Sequence, residues 1–527
     1  MLHKRIVHAS AIPATSGWAF LLVQPFLLLG LLLWLMAGNV EPVQAQSCSV
    51  FPDPQQRFGF NVARDGGRHI DDYNVSPLHA HWYLDYFAQE VPSQPNGMVY
   101  AQMIRSKDWQ PQKITETLTM IDAIVANNPG TLWILGNEPD RDKQDGQTPA
   151  EYAVFYHELY HAIKERDPNS RIAIGGVVQP TPLRRHYLDL VLAAYQSRYG
   201  TVLPVDVWNI HAFILREEKK QGSWGASLPP GMDEFAAEGK LYEVWEHDNQ
   251  AIFQENILAF RQWMADNGYR DKPLVITEYG ILLSPLHGFP YEKVRDFMTG
   301  SFDYFLSATD AEVGYPADGN RLVQAWSWFS LNYPPYDPET NLGHNGNLLT
   351  PQGGLLALGQ DYGQYIAALA APETVQLSYS RLRMEPSYLV TPTTATPGGT
   401  IPTVQTQFGS AAQSTWPPTL TLESQLRNSG TAAGCNIQVE LWHQAPDGER
   451  MLVEQRQLAT LAAASSASFN FTWQPDQLTV GAHRFIVRSK VDNGAIGLPI
   501  AEQEATYTLL VLTEPLTNYQ YLPTVQR

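Results

Sequence analysis

Two glutamates, Glu138 and Glu278, each stand directly after a short apolar run, 133–135 in the first case and 274–276 in the second. A pair of carboxyl groups, one protonated and one ionised, can cleave a glycosidic bond. One group protonates the leaving oxygen while the other attacks the anomeric carbon or activates water. Taken singly, each glutamate could be a solvated loop charge paired with a lysine or arginine. Two of them in the same setting favour catalysis.

The elements that would position these glutamates are eight apolar runs, which alternate with helical patterns from Arg57 to about Ala370. The predicted strands are Arg57–Arg64, Leu78–Tyr86, Gly97–Arg105, Thr131–Glu138, Arg171–Val178, Val205–Phe213, Pro273–Tyr279 and Arg321–Leu331. This alternation predicts a parallel sheet, and eight units favour a (β/α)₈ TIM barrel. A doubly wound sheet is the alternative, but the glycine-rich phosphate loop that it needs after an early strand is not found.

In a TIM barrel the carboxyl ends of the strands meet at one mouth, where the active site lies. Glu138 ends the fourth predicted strand and Glu278 nearly ends the seventh, so their carboxyl groups are expected to face each other across the barrel axis. A separation of roughly 5–5.5 Å would indicate retention of configuration, and roughly 6.5–9.5 Å inversion.

The sequences Gly136-Asn137-Glu138-Pro139 and Ile276-Thr277-Glu278-Tyr279 resemble the acid/base and nucleophile motifs of the clan A glycoside hydrolases. Members of that clan are retaining enzymes with TIM barrels, and the motifs are most similar to those of its small endo-β-1,3-glucanase families. β-Xylosidase-like and β-mannanase-like members share the core signature. The resemblance implies that Glu138 is the acid/base, that Glu278 is the nucleophile and that Asn137 holds a sugar 2-hydroxyl.

The same resemblance implies further substrate-binding residues. His211, on the sixth strand, matches a position where a histidine often lines the site. Trp328, on the eighth strand, matches the tryptophan that floors the subsite of the cleaved sugar, and Trp326 has the same strand parity, so either ring could stack. Trp82 and Trp224 are further candidates.

The sequence departs from the clan pattern in two places. Phe213 stands where many relatives have a tyrosine whose hydroxyl contacts the nucleophile, so another tyrosine is expected to orient Glu278. The second strand lacks the arginine that many relatives place there, and Arg64 or Arg105 could substitute. The loop 214–249 after the sixth strand is the longest insertion, and it is a candidate wall of the substrate cleft, with a plain surface loop as the alternative.

The tail, residues 373–527, has a different pattern. Apolar residues alternate with a period of two, and Asp447-Gly448 is a hairpin turn signal, so a small all-β Ig-like sandwich domain is predicted. The stretch 391–416 is rich in Pro and Thr, which is typical of a linker. Because 375–382 also alternates, that stretch could instead be a loop within the sandwich.

Residues 1–45 have the layout of a secretory signal peptide: Lys4 and Arg5, an apolar run over 26–38, and small residues near 43–45. An uncleaved N-terminal membrane anchor is the alternative. Either one predicts a secreted or cell-surface protein, with residues 46–372 as the catalytic barrel. The two cysteines, Cys48 and Cys435, could form a disulfide in an oxidising compartment, but unpaired thiols are favoured because Cys435 shares strand parity with buried apolar neighbours.

Composition limits the partners. The formal net charge of −18 argues against nucleic acid and anionic membrane surfaces. The 14 tryptophans and 25 tyrosines suit stacking on a neutral, hydroxyl-rich carbohydrate. No Cys/His cluster has metal-ligand spacing, so neither a metal nor a cofactor is predicted.

The sequence thus predicts a retaining glycoside hydrolase that cleaves a β-linked poly- or oligosaccharide through a covalent glycosyl-enzyme intermediate. Two alternatives stay open: a transglycosylase of the same mechanism, and a non-catalytic cell-surface protein that binds carbohydrate. The sugar, the linkage, endo or exo action and the oligomeric state are not determined by these patterns.

Overall fold

A computed structural model describes residues 54–513, with gaps at 65–66, 111–113, 220–224, 341, 370–373, 387, 392–402, 407–408, 413–416, 476 and 493–498. Its first nine strands are β1 (Phe58–Asn61), β2 (Trp82–Leu84), β3 (Val99–Tyr100), β4 (Gln102–Ile104), β5 (Leu132–Asn137), β6 (Arg171–Gly176), β7 (Trp208–His211), β8 (Leu274–Tyr279) and β9 (Ala325–Trp328). Every pairing among these strands is parallel.

The pairings run round a ring. One sheet has the order β3-β2-β1-β9-β8-β7, and the other has the order β4-β5-β6. β3 and β4 continue each other across Ala101, and parallel bridges from Ala173 to Val207 and from Val177 to Ile210 join β6 to β7. The arrangement is a parallel α/β barrel, as the sequence predicts.

The described α-helices are α1 (Ile114–Asn127), α2 (Pro149–Arg166), α3 (Pro182–Tyr199), α4 (Gln250–Asp266), α5 (Tyr291–Ser307) and α6 (Ala357–Ala367). α2 shows how the sequence starts them. Thr148 and Glu151 form a capping box around Pro149, which occupies the first helical position. Short 3₁₀ helices, rather than α-helices, connect β1 to β2 and β2 to β3.

The barrel has two apolar layers. One fills the lumen and includes Trp82, Ile134 and Val275. The other lies between the strands and the surrounding helices and includes Leu135 and Ile276. Because strand side chains alternate between faces, the lumen-facing position nearest each carboxyl end is the one that reaches the mouth of the barrel.

The chain from residue 377 forms a second group of strands: β10 (Leu377–Glu385), β11 (Tyr388–Val390), β12 (Thr403–Thr406), β13 (Gly409–Ala412), β14 (Leu420–Asn428), β15 (Gly434–Gln444), β16 (Arg450–Leu461), β17 (Ser466–Trp473), β18 (Gly481–Asp492) and β19 (Pro499–Leu512). The sheets β10-β14-β17 and β11-β19-β18-β15-β16 share one apolar core. All their pairings are antiparallel except β11 with β19, which is parallel.

Several tail predictions can be compared with this structure. The turn at Asp447-Gly448 does join β15 to β16. β10 pairs with β14, so the sheets begin before the Pro/Thr-rich stretch, and the described part of that stretch contains the hairpin β12–β13. This favours a loop within the sheets over a linker that precedes them.

The predicted thiol state of Cys435 is wrong, because Cys435 is disulfide-bonded. Its buried strand position was taken as a sign of a plain core residue, but burial does not distinguish a thiol from a half-cystine. Cys48 is the other cysteine of the sequence and lies outside the described residues. The predicted signal segment 1–45 also lies outside them. Among the residues that are described, no helix is both long and apolar enough to span a bilayer.

Candidate active site

The backbone turns at the end of β5 and thereby places Glu138 at the mouth of the barrel. Gly136 has a φ of 96°, which glycine adopts readily, and Glu138 itself has a φ of 45°. The turn is held by Asp145, whose carboxylate accepts the Asn137 N–H at 2.9 Å and the Ser106 N–H at 2.7 Å. Glu138 is 2% exposed and points into a pocket at the mouth.

Glu278 reaches the same pocket through an irregularity in β8. Val275 belongs to the lumen layer and Ile276 to the helix-facing layer, so strict alternation would aim Glu278 at the helices. The register between β8 and β9 shifts between Ile276 and Tyr279, and the register with β7 shifts next to His211. A bulge of this kind can re-aim a side chain beside an active site, and here Glu278 turns to the pocket.

His211 lies between the two glutamates. Its Nδ1 is 3.1 Å from Glu138 Oε1 and 3.5 Å from Glu278 Oε2. One oxygen of each carboxyl group and a His211 ring nitrogen all lie within 4.8 Å of one another. Gly176 permits this packing, because a Cβ at that position would lie 2.5 Å from His211 Cδ2.

The two carboxyl groups have opposite pKa shifts. Burial alone would raise the pKa of Glu138, but the Arg141 guanidinium at 3.0 Å and the hydrogen bond from His211 lower it to about 2. Burial raises the pKa of Glu278 to about 7, the charge of Glu138 adds to this, and His211 opposes it. The directions of the two pKa shifts favour the ionised form of Glu138 and the protonated form of Glu278.

The pKa of His211 depends on both neighbouring glutamates. Burial opposes its protonation, but the charge of Glu278 and the hydrogen bond to Glu138 raise its pKa overall. With Nδ1–H as the donor to Glu138, its Nε2 is buried without a hydrogen-bond partner among the described residues.

Tyr86 and Arg105 fill the two places where the sequence departs from the clan pattern. The Tyr86 hydroxyl lies beside the Glu278 carboxyl, short of full hydrogen-bond geometry, and helps to lower its pKa. Arg105 lines the pocket, and its charge acts on Glu278 in the same direction. Arg64 instead pairs with Asp85 and does not line the pocket.

The pocket has a volume of about 360 Å³. Its lining residues are Tyr86, Arg105, Asn137, Glu138, Arg141, Lys143, Gln144, Phe213, Glu278, Leu282, Phe329, Tyr333 and His344. Asn137 Oδ1 is buried there without a hydrogen-bond partner among the described residues, which leaves it available to a ligand. Its predicted contact with a sugar hydroxyl stays a prediction, as does substrate contact by His211.

The predicted stacking tryptophans lie elsewhere. Trp328 and Trp326 share a parity, as predicted, but that parity faces the helices, and both side chains are fully buried. Trp328 donates its Nε1–H to the Gly346 carbonyl at 2.7 Å, and the next residue, Phe329, lines the pocket in its place. Trp82 is buried in the lumen over Gly59, below the mouth, because it begins β2 rather than ending it.

The loop 214–249 does not form a wall of this pocket with any of its described residues. It folds against the barrel instead, where Glu217 accepts hydrogen bonds from Thr181 and Arg184. Trp224 lies outside the described residues. The walls come from the segment after Glu138 and from Tyr333 and His344, which follow β9.

Sequence reasoning missed Arg141, Lys143, Tyr333 and His344 as lining residues. Arg141 and Lys143 had a usable signal, because they follow Glu138 within five positions and therefore share its strand end. Tyr333 and His344 had none, since their long loop could lie anywhere around the mouth.

Glu138, His211 and Glu278 also have a spacing that would suit a metal ion. A divalent cation there would face the Arg141 guanidinium, which already occupies Glu138 Oε2. That repulsion makes a proton-sharing pair the better interpretation of the cluster.

No protein-family model matches the chain, and none of the curated proteins does. Among solved structures, the chain is similar to a GH128 (subgroup II) endo-β-1,3-glucanase from Sorangium cellulosum, with 19% identity, 59% of this chain and 98% of that chain covered, and a TM-score of 0.37. It is similar to a glucosidase from Croceicoccus marinus, with 13% identity, coverage of 88% and 93%, and a TM-score of 0.39.

A third similar structure is the CARDB domain of the PF1109 protein from Pyrococcus furiosus, with 14% identity, coverage of 27% of this chain and 90% of that one, and a TM-score of 0.18. Likenesses this remote describe the fold at most, so the activity rests on the geometry of the site itself.

Proposed function

We propose that this protein is a glycoside hydrolase that cleaves a β-linked glycan with retention of configuration. The observation that carries the proposal is the pair of buried glutamates, whose nearest oxygens lie within 4.8 Å of each other at the mouth of a parallel barrel. Oxygens this close favour direct attack by one carboxylate, since the two carboxyl groups of an inverting pair stand roughly 6.5–9.5 Å apart to leave room for water.

The resemblance of the motifs assigns the roles: Glu278 attacks the anomeric carbon, and Glu138 protonates the leaving oxygen and later deprotonates water. In the free protein Arg141 favours the ionised form of Glu138, whereas burial favours the protonated form of Glu278. With the roles assigned above, substrate binding is expected to shift the shared proton toward Glu138. The distance is short, and His211 Nδ1 lies between the two groups.

Asn137 and Phe329 are the proposed substrate contacts. Asn137 lines the pocket, and its amide oxygen is buried without a partner among the described residues, so a sugar hydroxyl would satisfy it. Phe329 offers an apolar surface on the opposite side of the pocket.

Retention also permits transglycosylation, in which a sugar hydroxyl replaces water as the acceptor. A non-catalytic binding protein is the less favoured alternative, since a site built only to bind has no need for two buried carboxyl groups that share a proton. We further propose that the protein is secreted or displayed at the cell surface. The disulfide at Cys435 suits an oxidising compartment.

The test uses the full chain on β-glucans, xylans, mannans and uronate-containing β-glycans, with proton NMR of the first anomer released. We expect a β-configured product first, followed by slow mutarotation. An α-product first would show inversion, and release of no sugar from any glycan by wild-type protein would refute the proposal. Glu278→Gln serves as the inactive control.

A further inference from the structure

One wall of the catalytic pocket carries three basic side chains, Arg105, Arg141 and Lys143. The chain as a whole has a formal net charge of −18, so a cationic wall is a local feature and not a reflection of composition. The opposite wall is apolar, with Phe213, Leu282 and Phe329 among its residues.

The three cations differ in how far other groups already engage them. Two nitrogens of Arg105 already have acceptors: Nε donates to Asp145 at 2.5 Å and Nη2 donates to Gln144 at 2.9 Å. Arg141 Nη1 donates a hydrogen bond to Glu138 Oε2 at 3.0 Å. Its Nε is buried without a hydrogen-bond partner among the described residues. Lys143 is exposed at the rim, and within the described part of the chain it has no ion-pair partner.

The catalytic glutamates do not need all three of these basic side chains to balance their charge. Arg141 balances Glu138, whereas Glu278 is largely protonated below neutral pH because burial and the charge of Glu138 raise its pKa to about 7. Lys143 and the Nε–H of Arg141 are therefore left as donors without partners on two residues that line the pocket. A buried N–H without an acceptor destabilises the protein unless a ligand supplies one.

We propose that the glycan bound here carries an anionic group, a carboxylate or a sulfate ester, beside the scissile bond, and that Arg141 and Lys143 bind it. The inference rests on the proposed function and adds the substrate class. It replaces the neutral sugar that overall charge and aromatic content favoured with an anionic one. Charge-assisted hydrogen bonds from arginine to carboxylate or sulfate are stronger than bonds to a hydroxyl group.

Such binding would also prepare the acid. Arg141 is the group that keeps Glu138 ionised, and its guanidinium would divide its donors between Glu138 and the substrate anion. A weaker Arg141–Glu138 ion pair lets Glu138 take the proton from Glu278. A neutral glycan would leave the ion pair intact, so Glu138 would protonate the leaving group more slowly.

The test compares each anionic β-glycan with its own neutral form, in which carboxyl groups are reduced or sulfate esters are removed. Both members of a pair then share sugars and linkage. We expect kcat/KM to be at least tenfold higher on the anionic member of at least one pair, and the uronate and sulfate arms identify the anion. Neutral members cleaved as well as, or better than, their anionic partners in every pair would overturn the proposal.

Lys143→Gln tests the assignment without altering the groups that contact the glutamates. It should lower kcat/KM severalfold more on the anionic member than on the neutral member, mainly through KM. Lys107→Gln is the matched control, because Lys107 is exposed on the neighbouring 3₁₀ helix and does not line the pocket. An equal loss on both members in Lys143→Gln would contradict the anion contact.

Calorimetric titration of wild-type protein with D-glucuronate, D-glucose 6-sulfate and D-glucose separates this inference from the proposed function. If no glycan is cleaved, the proposed function fails, but the titration still gives an answer. At least tenfold tighter binding of one anionic sugar, lost in Lys143→Gln, supports the anion site. Equal or weaker binding of both anionic sugars contradicts it.

Discussion

At the scale of single residues, the site is a pair of glutamates that share a proton and lie beside charged side chains. Glu138 and Glu278 are chemically identical, and only their neighbours distinguish them: Arg141 and His211 stabilise the anion of Glu138, whereas burial destabilises that of Glu278. Splitting two carboxyl pKa values by environment is how one site supplies both an acid and a base. The pKa shifts in the free protein favour the proton on Glu278, whereas the assigned roles need it on Glu138. We therefore expect substrate binding to shift it.

The roles of the two glutamates are separable by mutation. Glu278→Ala removes the nucleophile, so no glycosyl-enzyme can form. Glu138→Ala should still form the intermediate from a substrate with an activated phenol leaving group, and then stall. Azide should rescue Glu138→Ala and give the retained β-glycosyl azide, whereas in Glu278→Ala it should give the inverted α-azide. NMR of the azide products is the measurement.

A reversed pattern of azide products would mean that the two roles are exchanged, which the resting pKa order would then explain. Full activity in either alanine variant would remove that residue from the mechanism. Asp296→Ala, which removes an exposed carboxylate paired with Arg295, controls for unspecific effects of losing an acidic side chain.

The pH profile should report the shared proton. The pair holds one proton above about pH 2 and loses it as the pH rises through about 7, so kcat/KM should fall through the same range. Arg141→Gln removes a positive charge that favours the anions, so the basic limb should move to higher pH. Initial rates across the acid and neutral range measure this, with Arg166→Gln as the surface control. If the basic limb of the pH profile stays at the same pH in Arg141→Gln, Arg141 does not control the pKa of the shared proton.

At the scale of elements, sequence patterns located most of the framework. All eight predicted strands contain an observed barrel strand. Periodicity succeeds there because burial of one face dominates the energetics of each element.

Periodicity could not predict which way a side chain faces at an irregular strand end. Trp326 and Trp328 were assigned the right parity but the wrong face, since alternation alone does not say which face is the lumen. Glu278 reaches the pocket through a register shift that leaves no mark in the sequence. The neighbours that set its pKa, such as Tyr86, come from other strand ends and are fixed by the closure of the barrel.

A buried ion network fixes α3 to the segment that follows Glu138. Arg184 on α3 contacts Asp140 and Glu217, each at 3.0 Å, and all three side chains are fully buried. Arg184→Met would leave two buried carboxylates without their cation, so the free energy of unfolding should fall by about 3–5 kcal/mol.

Denaturant unfolding measures that change. Arg166→Met is the matched control, because Arg166 also lies on a barrel helix but forms a surface pair with Asp122, and it should cost less than about 1 kcal/mol. Equal midpoints for the two variants would show that the buried network adds nothing to stability.

At the scale of the whole molecule, the described chain contains two separate large apolar cores. One includes residues from Phe58 to Ile366 and the other from Val375 to Val511, with no residue in common. No strand pairing joins the barrel strands to the later sheets within the described residues. The boundary near residue 372 stays a prediction. If it is correct, the two parts should unfold as separate cooperative units.

Scanning calorimetry should therefore resolve two transitions, each of which responds to its own variant. Arg184→Met should lower the barrel transition alone. Phe471→Ala, which empties a fully buried position in the second core, should destabilise the other by about 3–5 kcal/mol. A cleavable glycan, added to the inactive Glu278→Gln protein at a hundred times its Kd, should stabilise the barrel transition by about 2.7 kcal/mol, because only the state with a folded barrel binds it. One transition that moves with both variants would show instead that the two cores fold as a single unit.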